Sequence, residues 1–181
     1  MSDVDSTPDP DRDAVDTGCS VGGTYTLLIH VPTAVTVEVG ALGAYELPAG
    51  PYAYTGSALG AGGFSRVDRH RRVARGDHDV RHWHIDYLLG RPDTDLTSVV
   101  RSVGIDAECA VTGRLPTGPI DGFGASDCDC ESHLATGSTL SGLVARVRGA
   151  HEAAVARRDG DESGGLVEID VVPGEPESVN R

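Results

Sequence analysis

Between residues 22 and 31 apolar and polar positions alternate with a period of two. Tyr25, Leu27, Ile29 and Val31 point one way, and Thr24, Thr26, Leu28 and His30 the other. A β-branched run of that kind predicts a strand, ended by Pro32. Val35, Val37 and Val39 alternate in the same way, and Gly40 to Gly43 turns the chain into Ala44–Leu47, so these pieces predict a hairpin. A Pro/Gly turn at 48–51 leads into a short strand, Tyr52 to Thr55, that ends at Gly56. The period then changes. After the glycines at 60, 62 and 63, Phe64 to Arg75 reads as a helix stopped by Gly76. Val80 to Leu89 fits a helix, broken by Gly90 and Pro92, better than a strand. A strand is expected over Leu96–Val103, a helix over Asp106–Leu115 and a loop over Thr117–Leu134. An amphipathic helix, weakened by Gly142 and Gly149, is expected over Leu140–Arg158, with a possible short strand over Leu166–Val172.

Strands and helices in this order imply one α/β (α+β) domain. Its expected form is a small, mostly antiparallel sheet flanked by helices, with an inserted β-hairpin. A chain of 181 residues is long enough for one such core and short for two. The expected divisions are a disordered acidic tail over 1–20, the domain over 21–136, a C-terminal helix over 137–158 and a second acidic tail over 159–181. No apolar run is long enough for a membrane span, and the polar N-terminus lacks the basic head and apolar centre of a secretory signal, so no membrane association and a cytoplasmic location are expected.

Charge changes the picture through its distribution. The net charge is −13, and all 15 basic residues are Arg. A carboxylate surplus with no Lys suits a halophilic cytoplasm, and a GC-rich genome would also exchange Lys for Arg. Residues 1–20 and 159–181 carry most of the surplus; residues 21–158 hold 15 acids and 13 Arg, a formal charge of −2. Seven Arg fall between Arg66 and Arg91. The total charge argues against a nucleic-acid partner, and its placement removes most of that objection.

Four pieces carry candidate chemistry: Gly23-Thr24-Tyr25 opening one strand, Tyr54-Thr55-Gly56-Ser57 closing another, Arg66 and His70 one turn apart on a helix, and Glu108 at the start of a later helix. Taken singly, each has a plain structural reading. Strand tyrosines pack, an Arg-rich helix face is often only solvated, and a helix-start Glu complements the macrodipole. A second group, Cys109, Cys128, Cys130 and His133, offers soft ligands that could hold Zn²⁺, although Cys is also a common small buried residue. His82, His84 and Asp86 would line up as metal ligands on a strand and diverge on a helix; a His–Asp hydrogen bond supporting the core is the simpler expectation.

In order and spacing, the four pieces resemble the GIY-YIG nuclease superfamily. The run from Gly23 to Leu134, with YAYTGSALG, HWHIDYLL and GFGASDCDCESHL, is similar to its branch catalogued as domain of unknown function 123, a Uri-type endonuclease branch. The resemblance implies a metal-dependent endonuclease cutting nucleic-acid phosphodiesters, with a place in DNA repair. Tyr25 would take the proton from water, Tyr54 would hold that water or Tyr25 in line, Arg66 would fork onto the phosphate, and His70 would stand beside it. Glu108 would bind Mg²⁺ or Mn²⁺. Gly56, Ser57, Arg69, Arg71 and Arg72 become the candidate nucleic-acid contacts, DNA before RNA, with a DNA glycosylase as an implied partner. Thr24 and Thr55 depart from the family's tripeptides by replacing their central Ile, and the hairpin lengthens the connection between the two tyrosines. A non-catalytic nucleic-acid-binding module and a zinc-stapled protein-interaction domain remain as alternatives.

Overall fold

A computed structural model describes residues 21–157 and 166–172. The expected N-terminal tail and most of the expected C-terminal tail lie outside the described residues. No helix among the described residues is long and apolar enough to cross a membrane.

The fold is α+β. The strands are β1 (Gly23–Val31), β2 (Val35–Val39), β3 (Gly43–Leu47), β4 (Gly50–Ser57), β5 (Asp95–Val103), β6 (Leu134–Thr136) and β7 (Val167–Val171). The helices are α1 (Ser65–Ala74), α2 (His84–Leu89), α3 (Glu108–Thr112) and α4 (Leu140–Ala156). Five strands form one sheet in the order β6-β4-β1-β5-β7, every neighbouring pair antiparallel. The expected hairpin, β2-β3, stands apart as a sheet of two strands, joined through a single 3-10 turn at Gly40–Leu42.

β1 lies at the centre, and both of its faces are covered. Tyr25, Leu27, Ile29 and Val31 join the core shared with the hairpin, α1 and α2, while Leu28 joins a second core built from α3 and α4. Each fully buried Leu, Ile or Val there contributes roughly 1.5–3 kcal/mol against its exposed state, which fixes the register of the central strand. The C-terminal helix is therefore part of the domain. Leu143, Val147, Ala150, Ala154 and Val155 cover the second face of the sheet. β7 adds a fifth strand, tied to β5 by Arg101, whose guanidinium meets Glu168 at 3.1 Å and Asp170 at 2.6 Å.

Three expectations need correction. The segment Val80–Leu89 is helical only from His84; Trp83 is extended, because the Asp86 carboxylate accepts hydrogen bonds from the backbone N–H groups of His82 and Trp83 and so starts the helix there. The helix expected over Asp106–Leu115 contracts to five residues. The loop from Thr117 ends in an unexpected edge strand, β6, paired with β4 through Tyr52, Ala53 and Tyr54.

The second face holds a buried polar network. Thr26 and Thr55 are paired across β1 and β4, with hydroxyls 2.9 Å apart, and Thr26 also meets His151 Nε2 at 2.8 Å. The other ring nitrogen of His151 meets Ser102 Oγ at 2.7 Å. Hydroxyls occupy both nitrogens, and burial lowers the pKa of His151 from 6.5 to about 4. The folded state therefore binds fewer protons at this site than the unfolded chain. Stability is present in full above pH 6.5 and falls as pH drops towards 4, by up to about 3 kcal/mol. Urea unfolding at fixed salt should give that slope for the wild type and a flatter one for His151→Gln over the same range.

Candidate active-site cleft

Tyr25 stands directly opposite Gly56 in the β1–β4 ladder. A Cβ added at Gly56 would sit 2.6 Å from the phenol oxygen, so the ring lies across backbone that only glycine leaves bare. The phenol oxygen is 2.9 Å from His70 Nε2, and His70 Nδ1 is 2.9 Å from Asp86 Oδ1. Tyr25, His70 and Asp86 are all buried. Asp86 accepts two further backbone bonds, noted above, and one at 2.8 Å from Arg69.

Burial alone would raise the Asp86 pKa; the bonds from His70, Arg69 and the backbone outweigh it and hold the carboxyl well below its ordinary value. Burial also lowers the pKa of His70, against the pull of Asp86. A neutral imidazole beside an ionised carboxylate carries its proton on Nδ1 and leaves Nε2 to accept from the phenol. The result is a chain in which Tyr25 O–H donates to His70 and His70 N–H donates to Asp86. Burial, then the neighbouring Tyr54, raises the Tyr25 pKa well above 10.

Beside this chain lies a cleft of about 240 Å³ lined by Tyr54, Gly56, Ser57, Arg66, Trp83 and Glu108, with His82, His84, Gly124, Ser126 and Asp127. Tyr54 sits two residues before Gly56, and therefore on the same face of β4, at a diagonal from Tyr25. Its ring packs edge-on against Phe123, and a Cβ at Gly124 would collide with it at 2.8 Å. Burial, then Glu108, raises the Tyr54 pKa. Arg66 donates to the carbonyl of Ser57, and its guanidinium carbon lies 4.7 Å from the centroid of Trp83. Among the described residues it makes no ion pair with a carboxylate.

Glu108 opens α3. Thr24 places it there, because its hydroxyl donates to the carbonyl of Ile105 at 2.8 Å and accepts from the N–H of Ala107 at 2.9 Å. The departures Thr24 and Thr55 thus serve the second face of the sheet: one anchors the backbone before Glu108, the other joins the His151 network. Glu108 Oε1 lies 3.0 Å from His133 Nδ1, within ion-pair distance but outside hydrogen-bond direction, so among the described residues Nδ1 is a buried polar atom with no hydrogen-bond partner in good geometry.

The other candidate residues fall in different places. Gly56 and Ser57 line the cleft. Arg69 and Arg71 do not: Arg69 is spent on Asp86 and lies 4.6 Å from Trp83, and Arg71 bridges Asp68 and Asp170, each at 3.1 Å. Arg72 is exposed and lies outside the cleft lining. His70 touches Tyr25 and does not line the cleft. The expected His–Asp hydrogen bond exists, but Asp86 makes it with His70. His84 instead accepts at Nδ1 from the N–H of Gly124 at 3.0 Å, which ties α2 to the loop before β6.

Sequence reasoning missed Asp127 and Trp83. Both lie in segments it singled out, but nothing in their spacing indicated that the loop folds back over Tyr54. Asp127 brings a second carboxylate to the cleft beside Glu108, and both also line an adjoining hollow of about 440 Å³.

Cys109, Cys128 and His133 line the same hollow, and with Cys130 each offers a ligand atom, these atoms all lying within 4.8 Å of one another. The cluster could hold a metal ion.

No curated protein and no solved structure that was compared with the chain matches it. A family model does match, over residues 24–156, and with it the chain belongs to the family described as domain of unknown function DUF123.

Proposed function

We propose that this protein is a divalent-metal-dependent endonuclease of the GIY-YIG type, hydrolysing phosphodiesters in nucleic acid, DNA before RNA, with DNA repair as its setting. The observation that carries the reading is convergence. Tyr54, Arg66 and Glu108, from three distant stretches of chain, line one cleft, and Tyr25 stands beside them on a relay of its own.

In this reading Arg66 presents its planar fork to the scissile phosphate. Among the described residues it has no competing carboxylate, and its contact with Trp83 holds the guanidinium at the cleft wall. Tyr54 orients the attacking water. A phenol with a raised pKa is a poor base by itself, and the relay answers that difficulty. As Tyr25 takes the proton of water, its own proton passes to His70 Nε2, and Asp86 stabilises the imidazolium that forms. Glu108 and Asp127 would hold the Mg²⁺ or Mn²⁺, which supplies charge stabilisation at the phosphoryl and leaving oxygens. We read the thiol–imidazole cluster as a structural zinc site that pins the loop before β6 over the cleft.

The test is cleavage of supercoiled, branched and single-stranded DNA, and of RNA, by the full chain with Mg²⁺ or Mn²⁺. Salt must be varied from low to molar, since phosphate binding falls steeply with salt. Nicked or cut product that disappears with EDTA is the expected result. Retention of nucleic acid with no product under any metal condition would favour the non-catalytic binding module. Stoichiometric zinc with neither binding nor cutting would favour a protein-interaction domain.

A further inference from the structure

His133 faces two ways. Its Nε2 lies 3.2 Å from Cys128 Sγ, inside the cluster, and its Nδ1 faces Glu108 at 3.0 Å without a bond in good geometry. Three thiols and an imidazole form a tetrahedral zinc donor set, with Zn–S distances of about 2.3 Å that bring ligand atoms to roughly 3.8 Å from one another. The observed spread of up to 4.8 Å is one that a bound ion can draw in. The donors come from separate elements: Cys109 from α3, and Cys128, Cys130 and His133 from the chain entering β6. A zinc there would therefore close the loop between them.

We propose that Glu108 is the outer partner of this zinc centre, so that one carboxylate serves both the zinc and the cleft. A zinc ion on Nε2 obliges Nδ1 to carry the ring proton, and the nearest acceptor facing that proton is Glu108 Oε1. The unbonded buried Nδ1 then acquires its partner through a small ring rotation. Metal-bound imidazoles are held in this way by a carboxylate on their second nitrogen, and the carboxylate is held in return. Thr24 fixes the backbone before Glu108, and the zinc centre would fix its side chain. Zinc thereby sets where the cleft's carboxylate stands relative to Tyr54 and Arg66. This inference rests on zinc filling the cluster; only its consequence for the cleft rests on the endonuclease reading.

Zinc content per chain, measured by mass spectrometry on the full chain purified without chelator, tests the filling, with one equivalent expected. Co²⁺ substitution of the wild type should give the intense thiolate charge-transfer band of a site with several sulfur ligands. Competition with a colorimetric chelator then tests the link. Glu108→Ala should weaken zinc binding by about 10–100-fold, and Glu108→Gln, whose amide oxygen can still accept from Nδ1–H, should recover most of the loss. Circular dichroism establishes that both variants are folded, and Glu152→Ala, an exposed carboxylate on α4 away from the cluster, should leave zinc affinity unchanged. Equal zinc affinity in wild type and Glu108→Ala would overturn the proposal, as would a chain that binds no zinc. A protein that holds zinc through Glu108 but never cuts nucleic acid would overturn only the endonuclease reading.

Discussion

Asp86→Ala should destabilise the fold by about 3–5 kcal/mol, the largest loss expected from any single side chain away from the apolar core. The carboxylate is fully buried and accepts from four donors: His70 Nδ1, Arg69 and the backbone N–H groups of His82 and Trp83. Truncation would strand Arg69, whose side chain is only 12% exposed, beside an imidazole that is wholly buried. It would also uncap α2, which begins where the two backbone bonds are made. Domains of this size are stable by only about 5–15 kcal/mol, so the variant should unfold at much lower denaturant. Guanidinium titrations at constant ionic strength would measure the difference. A loss below 1 kcal/mol would mean that the carboxylate is not the anchor of α1 and α2. Asn should rescue little, because its amide would present N–H to a site that supplies only donors.

The same carboxylate gives the protein a second acid limb. Its folded pKa is depressed, so its contribution is present above the ordinary value of 3.8 and is lost as pH falls below it. His151 acts earlier, between 6.5 and about 4. Acid unfolding should therefore be drawn out, with the His151 part appearing first.

The sheet was largely legible in the sequence, and the reason is local. β1, β2 and β5 show their period in single residues, because an apolar core covers at least one face of each. The edge strand β6 was not legible, since Leu134, Ala135 and Thr136 have too little pattern of their own and become a strand only where β4 is present to pair with. α2 was overextended because a helical face can be drawn through Val80 and Trp83, whereas the true start is set by a side chain, Asp86, reaching back to the backbone.

The candidate site divides in the same way. Tyr25, Tyr54, Arg66 and Glu108 were found by type and order. Their actual relations depend on partners far away in sequence, and these decide their chemistry. Asp86 was expected to hydrogen-bond a histidine in support of the core, and it does so with His70 rather than with His82 or His84. Arg69 and Arg71 were expected among the nucleic-acid contacts, and the structure pairs them with Asp86 and with Asp68 and Asp170. The basic surface next to the cleft is smaller than the run of Arg suggested, and Arg66 is the arginine that lines the cleft.

On the endonuclease reading, Tyr25→Phe should lower cleavage by about 10²–10⁴-fold while nucleic-acid binding stays within a few-fold. The phenol does not line the cleft, so on that reading removing its oxygen leaves the phosphate contacts assigned to Arg66 in place. It does break the relay at its first member. His70 Nε2 would lose its donor at an expected cost of about 1–3 kcal/mol, which a folded domain survives. Tyr54→Phe separates the roles. The ring would still pack on Phe123, and the cleft would lose one oxygen while the relay remained whole. If Tyr25 carries the proton, its variant should flatten the pH dependence of cleavage, and the Tyr54 variant should keep the wild-type profile at a reduced rate. Single-turnover rates across pH, with binding measured in parallel, make the comparison. Undiminished cleavage by Tyr25→Phe would leave the buried chain of Tyr25, His70 and Asp86 as scaffolding and pass the proton transfer to Tyr54.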